Sequence, residues 1–114
     1  MRMSVFSSGE WKVKAGREDG FVRAWNDFAE SSRKGIEPDV WALLLRDKKD
    51  PRHFRSIARW REEEAIARWQ GSEDFRRRTA ELREMVEQSD ISVFDIVVSV
   101  GSVPEPLMSV GQRD

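Results

Sequence analysis

The amino-acid sequence predicts an α+β fold, in which a four-stranded antiparallel sheet carries its helices on one face. Three patterns point to it. Residues near the N-terminus alternate with period two, two stretches repeat their apolar residues at helical spacing, and short apolar runs lie between proline, glycine and charged turns.

Val5 and Phe6 open an extended stretch that reaches Trp11 and Val13, which alternate with Lys12 and Lys14 as a half-buried strand does. The first strand is read over residues 3–14. Ser7, Ser8 and Gly9 in its middle mark a bulge or a place where another group approaches the backbone closely. After Gly16, residues 17–32 place Phe21, Trp25 and Phe28 at i, i+4 and i+7, with Val22 and Ala29 beside them, which is the pattern of an amphipathic helix. It ends at Arg33, Lys34 and Gly35, where basic charge meets the negative end of the helix dipole and glycine can cap it.

Pro38 breaks the chain, and residues 40–46 form an apolar run too short for a stable helix and suited to a second strand. A polar turn with Pro51 leads into Phe54, Ile57, Ala58 and Trp60, the third strand, so the two make a hairpin. From Glu62 the spacing is helical again. Ala65, Ile66 and Trp69 lie on one side, Gly71 interrupts, and Phe75, Thr79, Leu82 and Val86 continue the helical period after a start at Ser72. Residues 91–100, rich in β-branched side chains, are read as the last strand. The folded domain is thus residues 1–100. Residues 101–114, with Pro104 and Pro106, form an irregular tail. The order β-α-β-β-α-β is the ferredoxin-like arrangement.

Such a sheet normally shows water one polar face, whereas here both faces read as apolar. Strand 2 divides Trp41, Leu43 and Leu45 from Val40, Ala42 and Leu44, and the last strand divides Ile91, Val93 and Val97 from Phe94, Ile96, Val98 and Val100. Two helices cover only one face, so a second copy is expected over the other, giving a homodimer.

Composition narrows the chemistry. A length of 114 residues accommodates one core. With 36% charged residues and a net charge of -1, the surface mixes both signs, which argues against nucleic acid or an acidic membrane as partner. Without cysteine there is no thiolate nucleophile, disulfide or cysteine-bound zinc, and His53 is the single histidine. No glycine-rich phosphate loop occurs, so no cofactor is expected: neither flavin nor haem nor a transition metal. No apolar run is long enough for a signal peptide or a membrane span, and a cytoplasmic protein is expected.

Several stretches, taken in order, resemble the antibiotic biosynthesis monooxygenase family of the dimeric α+β barrel superfamily. They are Trp11-Lys-Val-Lys-Ala-Gly-Arg-Glu-Asp-Gly-Phe, then Leu45-Arg-Asp with Asp50-Pro-Arg-His-Phe, then Trp60-Arg-Glu-Glu-Glu-Ala, and finally Trp69, Gln70, Gly71, Ser72 and Phe75. The resemblance covers residues 11–98. It implies a dimeric α+β barrel and a choice among cofactor-free oxygenases of polyketide and quinol substrates, haem-degrading enzymes and proteins of unknown role. The haem-degrading branch has a tryptophan at the position of Trp69, a histidine ten residues later and an asparagine on strand 1. Here Thr79 stands at the histidine position and strand 1 has no asparagine, so the proximal iron ligand is missing.

The function that the resemblance implies is oxidation of a small aromatic polyketide or quinol by O₂ without a cofactor. The alternative is a non-catalytic dimer that binds a small molecule. Oxygenation needs an apolar pocket, a proton acceptor and a group that holds the substrate anion. Trp69 matches a family position and can stack on an aromatic substrate, or else completes a packing stripe with Ala65 and Ile66. Trp25 and Phe28 line the same pocket or belong to a regular apolar face. His53 is the one side chain that ordinarily titrates near neutrality, and is either a proton acceptor or a solvent-exposed turn residue. Asp95, set between Phe94 and Ile96, is either a desolvated base or the partner of an arginine. Arg76, Arg77 and Arg78 are flanked by Glu73, Asp74, Glu81 and Glu84 and are read as a paired surface. Ser7 lacks the spacing of a nucleophile elbow.

Overall fold

In the computed structural model, which describes residues 5–35 and 41–101, β1 (Val5–Val13) is the strand on which the others assemble. It pairs antiparallel with β3 (His53–Trp60) on one side and β4 (Val86–Asp95) on the other, and β2 (Trp41–Arg46) joins the outer edge of β3, giving the order β2-β3-β1-β4. Between the strands run α1 (Glu18–Gly35), α2 (Glu63–Gln70) and α3 (Glu73–Met85).

The helices follow from local chemistry. Glu18 and Asp19 in the first turn of α1, and Arg33 and Lys34 in its last, each oppose the dipole charge at their end. Phe21, Ala24, Trp25 and Phe28 form its buried stripe. The second helical stretch is two helices. Ser72 ends one and starts the next: its hydroxyl donates to the Trp69 carbonyl at 2.7 Å, and its oxygen accepts the Phe75 N–H at 3.1 Å.

The last strand departs most from expectation. It begins at Val86, directly out of α3, and ends at Asp95, whereas residues 91–100 were expected. Pairing with β1 sets these limits, since Val86 is registered with Val13 and Asp95 with Val5. Glu87, Gln88, Ser89 and Asp90 are polar because β4 is an edge strand, and that polarity hides them from a search for β-branched runs. Ile96, Val97, Val98 and Val100 lie beyond the strand, the three valines being well exposed. The predicted tail from residue 102 onward, and Val40, lie outside the described residues.

The register sorts the sheet into rows. On the helix side, an end row holds Val5 and Trp60, and another holds Trp11 and Phe54. Between them are two rows of small side chains: Ala42, Ala58 and Ser7, then Ser56 and Gly9 beside Leu44 and Ile91. The other face has a row of Trp41, Arg59, Phe6 and Phe94, in which the Trp41 and Phe6 rings meet edge to face at 6.2 Å. Leu43 and Ile57 come next, and the rows after them carry Glu10, Arg55, Lys12 and His53. Leu43, Leu45 and Phe94 are each about half exposed on that face.

The core lies between sheet and helices, with Val13, Phe21, Phe54, Trp60 and Leu82 almost fully enclosed. Phe54 packs 5.1 Å from Phe21 between ring centroids. Phe54→Ala should therefore cost about 3–5 kcal/mol, a large part of an ordinary domain's stability, read as a lower midpoint of urea unfolding at unchanged slope.

Candidate active site

The two rows of small residues leave the helices without side chains to rest on, and a cavity of about 220 Å³ results. Ser7, Gly9, Ala42, Ser56 and Ala58 make its floor. Trp11 and Trp60 bound it from the sheet, Trp25 and Phe28 from α1, Ile66 and Trp69 from α2, and Phe75 from α3. The exposed residues Gln70 and Ile91 mark its mouth.

Hydrogen bonds orient the sheet indoles. Trp11 Nε1–H donates to Ser56 Oγ and Trp60 Nε1–H to Ser7 Oγ, each at 3.0 Å. Gly9 permits the first of these bonds, for a Cβ there would stand 2.8 Å from Ser56 Oγ and 2.9 Å from Trp11 Nε1. Trp69 is held by rings instead, with centroids 4.7 Å from Phe28, 5.0 Å from Phe75 and 5.4 Å from Trp60. Its Nε1–H is buried with no hydrogen-bond partner among the described residues. An unmet buried donor costs about 1–3 kcal/mol, so a ligand oxygen that accepted this proton would recover that energy.

Of the residues expected in a site, the structure brings Trp69, Trp25 and Phe28 together around this cavity. It does not bring His53 or Asp95 there. Paired opposite Lys12, His53 lies on the face away from the helices, with Nδ1 3.1 Å from Asp47 Oδ2 and Nε2 3.7 Å from Glu10 Oε2. Asp95 ends β4 opposite Val5 and is exposed, so burial gives it no reason to act as a base. Among the described lining residues none is ionisable. Thr79 is buried, its hydroxyl donating to the Phe75 carbonyl at 2.8 Å within its own helix. Arg77 and Arg78 both pair with Asp74.

The serines, Gly9, Trp11, Trp60 and Phe75 were not expected as lining residues. Their signal is a coincidence of small residues in adjacent rows, which appears only when the register of three strands is known. Ser7, Ser8 and Gly9 did mark a place of close approach, and Gly9 is where it occurs.

A family model for antibiotic biosynthesis monooxygenase matches residues 4–87. Among solved structures, a variant of SnoaB, a cofactor-independent oxygenase from Streptomyces nogalater, is 19% identical, with a TM-score of 0.76 over 87% of this chain and 98% of that one. A conserved protein from Methanosarcina mazei Go1 is 14% identical, with a TM-score of 0.72 over 82% of this chain and 92% of its own. PA3566 from Pseudomonas aeruginosa is 20% identical, with a TM-score of 0.71 over 86% and 98%. At these identities the likeness establishes the fold. No curated protein matches the sequence.

Charge is concentrated on the opposite face. Asp50 accepts from Lys12 Nζ at 2.5 Å and from the Arg52 N–H at 3.0 Å, which holds its carboxyl below the usual carboxylate range. Asp47 is lowered likewise by His53 and by the Lys49 N–H. A depressed carboxyl adds stability above its unfolded pKa of about 3.9 and loses it as pH falls through the lower folded value. Asp50→Asn should therefore be less stable than the parent at neutral pH, by a small margin because the pair is solvent-exposed. Acid titration followed by circular dichroism should show that margin closing below the carboxylate range.

Proposed function

The chain belongs to the antibiotic biosynthesis monooxygenase family, and we propose that it oxidises a small aromatic polyketide or quinol with O₂, using no cofactor. The observation that supports this most is the neutral, ring-walled cavity lined by Trp69, whose buried Nε1–H has no partner among the described residues. A flat, electron-rich ring can stack there, and a rotation that brings the indole N–H to the ligand would let it hold an anionic oxygen among apolar walls.

The chemistry is carried by the substrate. An acidic phenol or enol releases its proton to water at the mouth, and the anion passes one electron to O₂. The two radicals then join through a new C–O bond. The proton first released returns to the peroxide, the O–O bond breaks with loss of the hydrogen on the same carbon, and water leaves. A ring C–H or a methylene thus becomes a carbonyl, and the substrate supplies all the electrons that O₂ takes up. His53 and Asp95, which lie outside the cavity, have no step in this scheme.

A homodimer belongs to the same reading. Leu43, Leu45 and Phe94 leave the far face of the sheet half exposed, and a second copy packed sheet to sheet across a two-fold axis would cover them. Light scattering at micromolar concentration should give twice the mass of one chain, and a stable monomer would rule the dimer out.

The absence of an ionisable group among the described lining residues also favours a second reading, a dimer that binds its ligand without chemistry. Oxygen uptake separates the two. Across a panel of hydroquinones and anthrone-like phenols, with no metal or flavin added, the electrode should record consumption of at least one member, which Trp69→Phe lowers by roughly 10²-fold or more, since that change keeps a ring and removes the donor. His53→Asn and Asp95→Asn should leave the rate within about twofold, an expectation that follows from general acid–base catalysis requiring hydrogen-bond reach. Ligand binding without uptake across the panel would favour the non-catalytic reading.

A further inference from the structure

We propose that the cavity selects quinols of one or two fused rings and rejects ring systems of three or more, with Phe75 as the residue that sets the limit. The inference rests on the reading of this cavity as the substrate site. An engineered apolar cavity of about 150 Å³ in an unrelated protein holds one benzene, and pockets for drug-sized ligands start near 300 Å³. At about 220 Å³ the present cavity lies between them, with room for one substituted ring or two fused rings.

Three of its boundaries cannot yield to a longer ligand. The floor is sheet backbone bearing only small side chains, and Gly9 already has Ser56 Oγ and Trp11 Nε1 within 3 Å of where a Cβ would stand. Trp11 and Trp60 are fixed by their serine hydrogen bonds. Phe28 and Trp69, centroids 4.7 Å apart, are both buried. Phe75 differs. It is only partly buried, rests against Phe28 at 5.9 Å and Trp69 at 5.0 Å, and stands at the start of α3, so a third ring that is to lie wholly inside the mouth is gained at its expense.

The polar groups select for a ring bearing oxygens. Ser7 and Ser56 each accept an indole N–H and keep a hydroxyl proton to donate, so the cavity floor offers two donors and no charged acceptor, with the unpartnered Trp69 Nε1–H buried in the wall. The two serines are diagonal neighbours on adjacent strands, about 7–8 Å apart, and one ring with oxygens at opposite ends can address both.

Four of the five tryptophans line the cavity, so quenching of their fluorescence under argon reads binding without turnover. Hydroquinone and naphthohydroquinone should quench saturably, and anthrone should bind at least about tenfold more weakly because it meets a steric clash. Phe75→Ala should bring anthrone to within about threefold of naphthohydroquinone, as deletion of the limiting ring requires. Should that variant fail to fold, Ile91→Ala at the mouth should leave the order unchanged, while Ala58→Leu on the floor should abolish naphthohydroquinone binding and spare hydroquinone. Anthrone binding as tight as naphthohydroquinone in the unmodified protein overturns the proposal, as does an absence of quenching by all three. If the size order holds but no oxygen is consumed, the size limit stands and the oxygenase reading fails.

Discussion

A side chain at position 9 has nowhere to go, and most of the site depends on that fact. Because Gly9 has none, Ser56 can reach across from β3 to accept the Trp11 indole proton. Trp11 is thereby held along the sheet, its indole edge and the serine hydroxyl filling the space directly over Gly9. The Trp60 to Ser7 bond repeats the device one row away with the strands exchanged, the indole now on β3 and the serine on β1. Each bond meets two polar groups that burial would otherwise leave costly, and each fixes a large ring at the margin of a space that the small residues create. A floor of leucines or valines at Ala42, Ala58 and Ser56 would have filled the space and given an ordinary core.

The two faces of the sheet divide the remaining work. Alternation puts Glu10, Lys12, Arg55 and His53 on one face and Gly9, Trp11, Phe54 and Ser56 on the other, so one sequence register separates a dense ionic network from an uncharged cavity. That separation is electrostatically useful. Charges paired with one another on the far side of the sheet perturb the cavity little, while a hydrogen bond made among its apolar walls counts for more than one made in water.

Much of this arrangement was legible in the sequence, and its limits have physical causes. The helix stripe of Phe21, Trp25 and Phe28 was visible because helical periodicity is local, and three strands were placed to within a few residues for the same reason. The last strand lies about five residues earlier than expected, since Glu87 to Asp90 belong to an edge strand whose polar residues carry no β signal, while Ile96 to Val100 carry that signal and pair with no strand among the described residues. Trp69, Trp25 and Phe28 could be named because each stands on an apolar helix face. His53 and Asp95 stand out in the sequence by chemical type alone, and type says nothing of which side of a sheet a residue occupies. Parity along a strand becomes a location only when the pairing is known. Ser7 opposite Ala58, and Gly9 opposite Ser56, are facts of register between residues about fifty positions apart.

The character of the cavity also restricts the charge its ligand can carry. Donors without a positive charge favour an anion, yet moving an anion out of water is expensive, and the expense rises as the charge is confined to fewer atoms. A carboxylate or phosphate would lose more hydration than a few uncharged donors restore. A phenolate conjugated with one or two rings spreads its charge over carbon, loses less on entry, and gains stacking against Trp69 and Phe28 that a small compact anion cannot make. The same delocalisation that makes such an anion cheap to desolvate also raises the energy of its outermost electrons toward O₂, so the physical terms that select the ligand are those that make it oxidisable.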